Sequence, residues 1–348
     1  MAPATPAPPA AKTGVTILLP FRDAETTLAE CLDSIAVQTF TAYELLAIDD
    51  HSSDLSASLV RQRATSDPRI RVISNPGKGL VAALNFGLEQ ARHPFIARMD
   101  ADDRMLPQRL EMQRANLTDH PELSVLGTQV RLFPEEAITA GAREYLRWQN
   151  LCVTPQQIAT NIYMEAPLAH PSVMLRRADV LAIGGYREGP FPEDYDLWFR
   201  VHHSGGLMAK VPHILLHWRE RPDRTSRTDP RYSREAFDRL RASYLSKDPL
   251  LTRRFERVVI WGAGRRTRKR VRHLLDQGIE PLAWIDVDPR KIGNRINGAR
   301  IHPPGWLEEQ TPKPLVLCYV ARHGARERIA AYLDMLDYAA GTDYLMIG

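Results

Sequence analysis

The sequence predicts an α/β protein in which helices cover a mostly parallel sheet, followed by a second, smaller α/β domain. Short apolar runs alternate with segments whose apolar residues recur every three or four positions, as strands alternate with helices. Acidic pairs and a glycine-rich turn follow these runs, at the edge where a parallel sheet binds its ligands. The 348 residues also exceed the usual size of one domain, which favours two.

The first hundred residues contain four apolar runs that we interpret as buried strands, at positions 15–19, 43–48, 70–73 and 95–99. A helix follows the first run, because apolar side chains recur at i, i+3, i+4 and i+7 from Leu28 to Ile35. Further helices are expected from Leu55 onward and after the turn Gly77-Lys78-Gly79. This alternation predicts parallel strands joined by helical crossovers.

The rest of the first domain has a weaker pattern. Strands are predicted at 125–133, 173–175 and 214–218, and helices at 193–203 and 237–245. The polar segment 219–232 is expected to be a loop, and the composition changes between 246 and 254. We therefore expect a disordered, Ala- and Pro-rich tail at 1–13, a first domain at 14–250 and a small domain at 255–348.

Composition limits the class of protein. The hydrophobic fraction is 44% and no apolar run is long enough to cross a bilayer, so a cytoplasmic protein is expected. Three widely separated cysteines argue against a disulfide framework and against structural zinc. Much of the net charge of +4 comes from six basic residues within 265–272. That cluster is compatible with binding to phosphate, nucleic acid or anionic lipid, and equally with a solvated helix face.

Acidic residues gather at three places that we position at or near strand ends: Asp49 and Asp50, then Asp100, Asp102 and Asp103, then Glu193, Asp194 and Asp196. Carboxylates at one sheet edge repel each other unless a cation joins them. Divalent cations such as Mg²⁺ take oxygen ligands and also bind phosphate. Asp100 and Asp102 face the same side of an extended chain, so both can approach one metal ion or nucleotide. A solvated Asp-rich turn is the alternative.

A series of ordered motifs lies between residues 14 and 245. They are Pro20-Phe21-Arg22, the segments 30–35 and 38–40, Ile48 to Asp54, Gly77-Lys78-Gly79, Met99 to Asp103 with Pro107, Gly184-Gly185-Tyr186, and Glu193 to Trp198. Together these motifs resemble those of family 2 glycosyltransferases, and the resemblance implies an A-type glycosyltransferase fold with a nucleotide-binding sheet. Phe21-Arg22 replaces a Tyr-Asn pair common in the family, and His51 replaces a glycine, two changes that bear on contacts to the base.

The resemblance also implies roles for individual residues. Four of them are expected to hold the base and ribose of the donor: Pro20, Phe21, Arg22 and Asp50. Asp100 is expected near the ribose or the sugar, and Asp102 at the metal ion. Asp194 is expected to be the catalytic base, with capping of its helix as the alternative.

The polar loop after residue 218 adds cationic side chains. Arg221, Arg224 and Arg227 match phosphate geometry and are expected to close over the diphosphate, unless the loop is simply exposed. His217 is expected as a further metal ligand, because imidazole suits Mn better than Ca.

These features predict an inverting, metal-dependent glycosyltransferase. It would move a sugar from a nucleotide-diphosphate donor, with uracil as the expected base, to a hydroxyl of a saccharide or another acceptor. Mn or Mg is the expected cofactor. A lipid-linked acceptor would bring peripheral membrane contact, and no nucleic-acid partner is expected.

The small domain begins with a strand at 257–261 and the turn Gly262-Ala263-Gly264. This turn resembles a dinucleotide fingerprint, although Thr267 stands at the third glycine position, and Asp286 fits the ribose-binding acid. The domain is similar to small Rossmann-like domains appended to sugar-modifying proteins. Nucleotide binding, regulatory packing and an oligomer interface stay open for it. So do two rival functions: a nicotinamide-dependent enzyme and a non-catalytic regulator that binds sugar nucleotides.

Overall fold

A computed structural model describes residues 14–320, 322 and 324–348, and the predicted tail at 1–13 lies outside them. The chain divides into two compact units that are interleaved in sequence. The first comprises the residues up to Pro155 together with Leu168–Glu188 and Arg200–Arg224. The second comprises Gln156–Pro167, Gly189–Phe199 and Thr225–Gly348. This division differs from the predicted one, and separate domains at 14–250 and 255–348 stay a prediction.

An eight-stranded sheet forms the centre of the first unit. Its strands are β1 (Val15–Phe21), β2 (Tyr43–Asp49), β3 (Ile70–Ser74), β4 (Phe95–Arg98), β5 (Arg104–Met105), β6 (Leu123–Phe133), β7 (Met174–Arg176) and β8 (Leu207–Arg219). They lie in the order β3-β2-β1-β4-β7-β6-β8-β5. The four strands from β3 to β4 are parallel, as is the pair β6–β8, whereas β7 and β5 run antiparallel to their neighbours. The predicted α/β class with a parallel-rich sheet is confirmed.

Eight helices accompany this part of the chain: α1 (Leu28–Ala36), α2 (Ser56–Ser66), α3 (Leu80–Gln90), α4 (Arg109–Asp119), α5 (Ala140–Leu151), α6 (Pro155–Asn161), α7 (Arg177–Ala182) and α8 (Glu193–His203). Helix α1 buries the four apolar residues that predicted it. Within the described residues, no helix is both long and apolar enough to span a bilayer.

Close packing of α3 on the sheet positions the site. All seven residues of β1 are buried, and a side chain in place of Gly87 would collide with Leu18 of β1 and Ile48 of β2. The absence of a side chain therefore lets the helix lie directly on the two central strands. The start of α3, at Gly79, reaches the carboxyl end of β2 as a result.

A six-stranded sheet forms the second unit. Its strands are β9 (Val258–Trp261), β10 (Ala283–Ile285), β11 (Arg295–Ile296), β12 (Ala299–His302), β13 (Leu315–Cys318) and β14 (Tyr344–Met346), in the order β11-β12-β10-β9-β13-β14. Its helices are α9 (Thr225–Thr228), α10 (Arg234–Leu245), α11 (Pro249–Thr252), α12 (Arg265–Leu275) and α13 (Ala325–Met335). Helix α9 interrupts the segment expected to be a loop.

A buried ion-pair network joins α10 to α12 across the predicted domain boundary. Asp238 of α10 is 7% exposed and accepts hydrogen bonds from Arg241 at 2.8 Å and from Arg270 of α12 at 3.0 Å. Both arginines are also buried. Because buried charges must be paired, these three side chains tie the helix before residue 250 to the small domain's first helix. In a sequence pattern, charged residues such as Asp238 and Arg270 are interpreted as surface positions. The domain boundary was therefore predicted between the two helices that they join.

Replacing Asp238 by alanine is expected to destabilise the protein by about 3–5 kcal/mol, because the buried Arg270 loses its acid and Arg241 keeps only Glu165, at 3.4 Å. Urea unfolding of the full chain measures this change. Glu235→Ala is the matched control on the same helix, since its pair with Arg239 is exposed and should contribute less than about 1 kcal/mol. Equal losses in the two variants would contradict the network's role.

Candidate active site

An acidic turn follows the carboxyl end of β4. Asp100, Asp102 and Asp103 each offer a carboxylate oxygen, and these atoms lie within 4.8 Å of one another. Strand β4 pairs in parallel with β1, and the backbone N–H of Met99 still donates to Leu18. The turn therefore begins at the edge of the sheet where β1 and β2 also end.

Helix α1 fixes the backbone of this turn. The Thr27 hydroxyl donates to the carbonyl of Ala101 at 3.1 Å, and the Cys31 thiol donates to the carbonyl of Asp100 at 3.3 Å. Burial raises the pKa of Cys31 well above its usual value, so the thiol keeps its proton. The apolar helix face that predicted α1 thus also carries two polar contacts to the site.

Arginines surround the carboxylates. Arg98, only 2% exposed, forms an ion pair with Asp100. Arg219 donates from its backbone N–H to Asp103 Oδ1 at 2.7 Å and from Nε to the carbonyl of Asp102 at 2.7 Å. Arg221 lies further out, with Nη2 3.5 Å from Asp102 Oδ2. The turn is therefore held by cations on the protein side and bordered by one on the exposed side.

Negative charge in the turn is incompletely balanced. Burial, together with the charge of Asp100, raises the pKa of Asp102 above its usual value and that of Asp103 well above it. Asp103 Oδ2 is buried without a hydrogen-bond partner among the described residues. A divalent cation would favour the ionised forms and give that oxygen a partner, and an all-oxygen donor set suits Mg²⁺ or Mn²⁺.

His217 lies on β8 opposite Arg104 of β5, with its ring 6.0 Å from that of Phe133. Burial and the charges of Arg131 and Arg104 lower its pKa, so the imidazole is neutral at neutral pH. Within the described ranges, the acidic cluster that fits a metal does not include His217. Its role as a metal ligand stays a prediction.

Asp50 occupies the end of β2 as an organised acceptor. It is 6% exposed, and Oδ1 accepts from Asn75 Nδ2 at 2.7 Å and from the Gly79 N–H at 2.9 Å. His51, next in the chain, has a φ of 62°, a left-handed conformation that explains a glycine at this position in the family. Its Nε2 lies 2.7 Å from the carbonyl of Gly77, to which it donates. The turn predicted from Gly77 to Gly79 is thereby fastened to β2.

The other predicted nucleotide contacts lie beside Asp50. Pro20 and Phe21 are the buried last residues of β1, and the carbonyl of Phe21 accepts from the Asp50 N–H at 2.9 Å. Arg22 follows, with 52% of its side chain exposed and its Nε 3.5 Å from Asp23. The first unit thus brings Pro20, Phe21 and Asp50 to the same sheet edge as the acidic turn.

The predicted arginines differ in surroundings. Arg224 pairs with Glu220 at 3.2 Å and its guanidinium lies 4.3 Å from the ring centre of Trp218. Arg221 is shared between Asp102 and Asp223, both at 3.5 Å. Arg227 belongs to the second unit, where it is an exposed residue of α9.

Three acids begin helix α8, and all three belong to the second unit. Glu193 and Asp196 are each 2% exposed, and each accepts at 2.6 Å from a tyrosine hydroxyl, Tyr232 and Tyr244 respectively. Asp194 is half-buried, and its Oδ1 accepts at 2.7 Å from the N–H of the next residue. The two buried acids are therefore tied to the helix packing, and Asp194 is the most exposed of the three.

Sequence analysis missed the cations that hold the turn. A usable signal existed for Arg98, because it is a charged residue within the apolar run 95–99, and such a residue needs a buried partner. No local pattern could have indicated Arg219, which contacts residues more than a hundred positions earlier and pairs with Glu30 of α1.

Comparisons with known proteins agree with this geometry. The family described as Glycosyl transferase family 2 matches residues 16–183. The amylovoran biosynthesis glycosyltransferase AmsE of Erwinia amylovora is 34% identical over 190 residues, which cover 54% of this chain and 69% of that protein. The UDP-Gal:alpha-D-GlcNAc-diphosphoundecaprenol beta-1,3-galactosyltransferase of Escherichia coli is 26% identical over 210 residues, 60% of this chain and 74% of that protein.

The fold is also found in solved structures. S. aureus TarS 1-349 in complex with UDP-GlcNAc superposes with a TM-score of 0.53 at 15% identity, covering 76% of this chain and 80% of that one. At that identity the likeness concerns the fold alone. The sequence match, the shared fold and the acidic turn at the strand ends agree, and the chain belongs to glycosyl transferase family 2.

Proposed function

We propose that this family 2 glycosyltransferase transfers a sugar from a UDP-sugar to an acceptor hydroxyl, with inversion at the anomeric carbon and with Mn²⁺ or Mg²⁺ as cofactor. The observation that carries the proposal is the cluster of Asp100, Asp102 and Asp103 at the sheet edge, with its buried, unpartnered oxygen. Such a cluster costs stability through repulsion unless a cation joins it. A metal-bound diphosphate accounts for that arrangement.

The donor would lie along the edge formed by β1, β2 and β4. Pro20, Phe21 and Asp50 supply an apolar edge and a fixed acceptor there, in reach of a base and ribose. A uridine nucleotide is supported by two similar proteins, since TarS was solved with UDP-GlcNAc and the E. coli relative is named for UDP-Gal.

Asp102 would hold the cation, with the unpartnered oxygen of Asp103 as a further candidate ligand and with Asp100 near the ribose or the sugar. The cation would neutralise the charge that develops on the leaving diphosphate. Arg221 already faces Asp102, and Arg224 is held nearby in sequence by Glu220 and Trp218. Their guanidinium groups suit phosphate oxygens, so binding of the donor would exchange a carboxylate partner of Arg221 for a phosphate. Arg22 and Arg227, both exposed, and His217 are retained as candidate contacts at the donor and the metal.

Asp194 is the proposed base. It would accept the proton of the acceptor hydroxyl while that oxygen bonds to the anomeric carbon and the bond to the diphosphate breaks. The choice rests on the motif match and on burial, because Asp194 is half-buried whereas Glu193 and Asp196 are each 2% exposed. A single displacement of this kind inverts the anomeric configuration.

A saccharide on a carrier lipid is the proposed acceptor class. The supporting relatives are named for amylovoran biosynthesis and for a diphosphoundecaprenol-linked sugar. A lipid-linked acceptor would place the protein at a membrane surface during transfer, with both substrates on the cytoplasmic side.

Metal removal tests the cofactor. Purified protein is expected to release UDP slowly from a UDP-sugar in the presence of Mn²⁺ or Mg²⁺, and chelation by EDTA should abolish that release because the diphosphate loses its counter-charge. A coupled assay for UDP across a panel of nucleotide sugars measures it. Equal release after chelation would contradict metal dependence.

Asp102→Asn is expected to weaken Mn²⁺-dependent binding of UDP by about tenfold or more, because an amide is a poorer ligand than a carboxylate. Calorimetry with and without Mn²⁺ measures the change. Asp33→Asn is the control, since Asp33 forms an exposed pair with Arg63 away from the turn. If Asp102→Asn binds UDP as tightly as the control does, the ligand assignment is wrong.

Asp194→Asn is expected to lower turnover by roughly a hundred- to ten-thousand-fold while UDP affinity is retained, because the change removes basicity and keeps shape. Turnover with a lipid-linked saccharide acceptor and calorimetry with UDP separate the two effects. Asp196→Asn is the matched control, since it disturbs the hydrogen bond from Tyr244 on the same helix and should mainly cost stability. Full turnover in Asp194→Asn would exclude it as the base.

A further inference from the structure

A basic cavity of about 890 Å³ lies in the second unit, outside the residues assigned to transfer. Helix α12 forms one wall, and β10 and the β11–β12 turn contribute the other. Five cations of α12 line it, together with a tryptophan of β10: Arg265, Arg266, Arg268, Lys269, Arg272 and Trp284. A volume of this size is typical of small-molecule sites.

The five cations lack internal counter-charges. All are exposed, and within the described part of the chain none of them forms an ion pair. The opposite face of α12 is buried, and the sixth basic residue, Arg270, is committed there to Asp238. One acid, Asp276, also lines the cavity and leaves a large positive excess.

This arrangement costs stability in the free protein. Arg265, Arg268 and Arg272 follow one another at spacings of three and four, where like charges repel along a helix. Arg265 and Arg266 also open the helix, where the macrodipole favours anions and disfavours cations. A bound anion would offset both the repulsion among the arginines and their unfavourable interaction with the helix dipole. A helix face that only contacts water does not need this concentration of charge.

Trp284 provides an independent observation. Its side chain is fully buried and lines the cavity, yet its indole N–H has no hydrogen-bond partner among the described residues. A buried donor left unpaired destabilises the free protein at this wall of the cavity.

The turn that resembles a dinucleotide fingerprint forms hydrogen bonds within the chain. The N–H of Ala263 donates to Asp286 Oδ2 at 2.8 Å, and Lys291 Nζ lies 3.0 Å from the same carboxylate. Asp286, the expected ribose ligand, is therefore occupied by the chain's own groups. A side chain on Gly262 would lie 3.0 Å from Val320, so this glycine is explained by packing. The cations on the exposed side of α12 need a different explanation.

We propose that this cavity binds a ligand that carries a diphosphate. The cations extend from Arg265 to Arg272, about 10 Å along the helix axis, which is more than one phosphate group spans. Guanidinium groups match phosphate oxygens. A nucleoside diphosphate in solution and the diphosphate of a carrier lipid share this chemistry.

Calorimetry of the full chain with inorganic pyrophosphate in EDTA tests the proposal, because chelation removes metal-dependent binding at the acidic turn. The double variant Arg268→Glu with Lys269→Glu is expected to lose affinity by about tenfold or more. Arg268→Gln with Lys269→Gln should show a smaller loss in the same direction, and near-UV circular dichroism of both confirms folding.

A charge-matched control separates the cavity from general electrostatics. Arg322→Glu with Arg328→Glu makes the same change in net charge at exposed positions of the same unit that do not line the cavity. It should alter affinity by less than about twofold. An equal loss in this control and in the cavity variant would overturn the proposal.

Vesicle flotation identifies the source of the diphosphate. Vesicles that contain a polyprenyl diphosphate should bind the wild-type chain more tightly than phosphatidylserine vesicles of equal charge if the ligand is membrane-borne. Binding of pyrophosphate without that preference assigns a soluble ligand. The proposal would be overturned if the wild-type chain bound no pyrophosphate and also showed no preference for diphosphate vesicles. Asp102→Asn should leave pyrophosphate binding in EDTA unchanged, so failure here is distinct from failure of the proposed transferase chemistry.

Discussion

Repulsion among the carboxylates after β4 is the constraint on which the first unit depends. The carboxylate oxygens lie within 4.8 Å of one another, and at that distance an effective dielectric constant of about 20 gives a repulsion of about 3.5 kcal/mol for each ionised pair. Two arginines offset this repulsion. The buried Arg98 forms an ion pair with Asp100, and Arg219 donates hydrogen bonds to Asp102 and Asp103. Helix α1 then fixes the backbone carbonyls. The two arginines and helix α1 therefore stabilise three negative charges that would otherwise repel each other.

That support is asymmetric. The side of the turn toward the core is closed by short hydrogen bonds from buried groups, whereas Arg221 approaches from the exposed side at 3.5 Å and is shared with Asp223. Because this ion pair is long and shared, replacing it with another partner costs little free energy. The arrangement keeps the acids in position while leaving their outer face open to exchange, which is what a site that binds and releases a charged product needs.

The sequence pattern predicted the parts of the fold in which chemistry and periodicity agree. Strands β1, β2 and β4 and helix α1 follow that rule, since their buried faces are mainly apolar. Strand β3 was predicted to be buried, but its residues are only partly buried or exposed. Helix α4 was missed because it buries Arg109 and Gln113, whose hydrogen bonds are long-range.

The same limit applies to the site and to the domain boundary. Asp50, Asp100 and Asp102 could be placed from strand ends alone, because parallel strands share an edge. Arg219 could not, since its contacts join distant segments. The ion pair between Asp238 and Arg270 could not be predicted for the same reason, and neither could the packing of α10 on α12.

The interleaving of the two units has a consequence for synthesis on the ribosome. The segments Gln156–Pro167 and Gly189–Phe199 belong to the second unit, and their Tyr163, Tyr195 and Phe199 side chains are buried in the complete chain. Translation at roughly 5–20 residues per second produces these segments seconds before Phe237, Tyr244 and Asp248, which contact those side chains. During that interval they emerge without their partners, so the nascent chain presents aromatic surface of the kind that chaperones bind. A cell that makes this enzyme quickly must shield the middle of the chain while the last third is still being made.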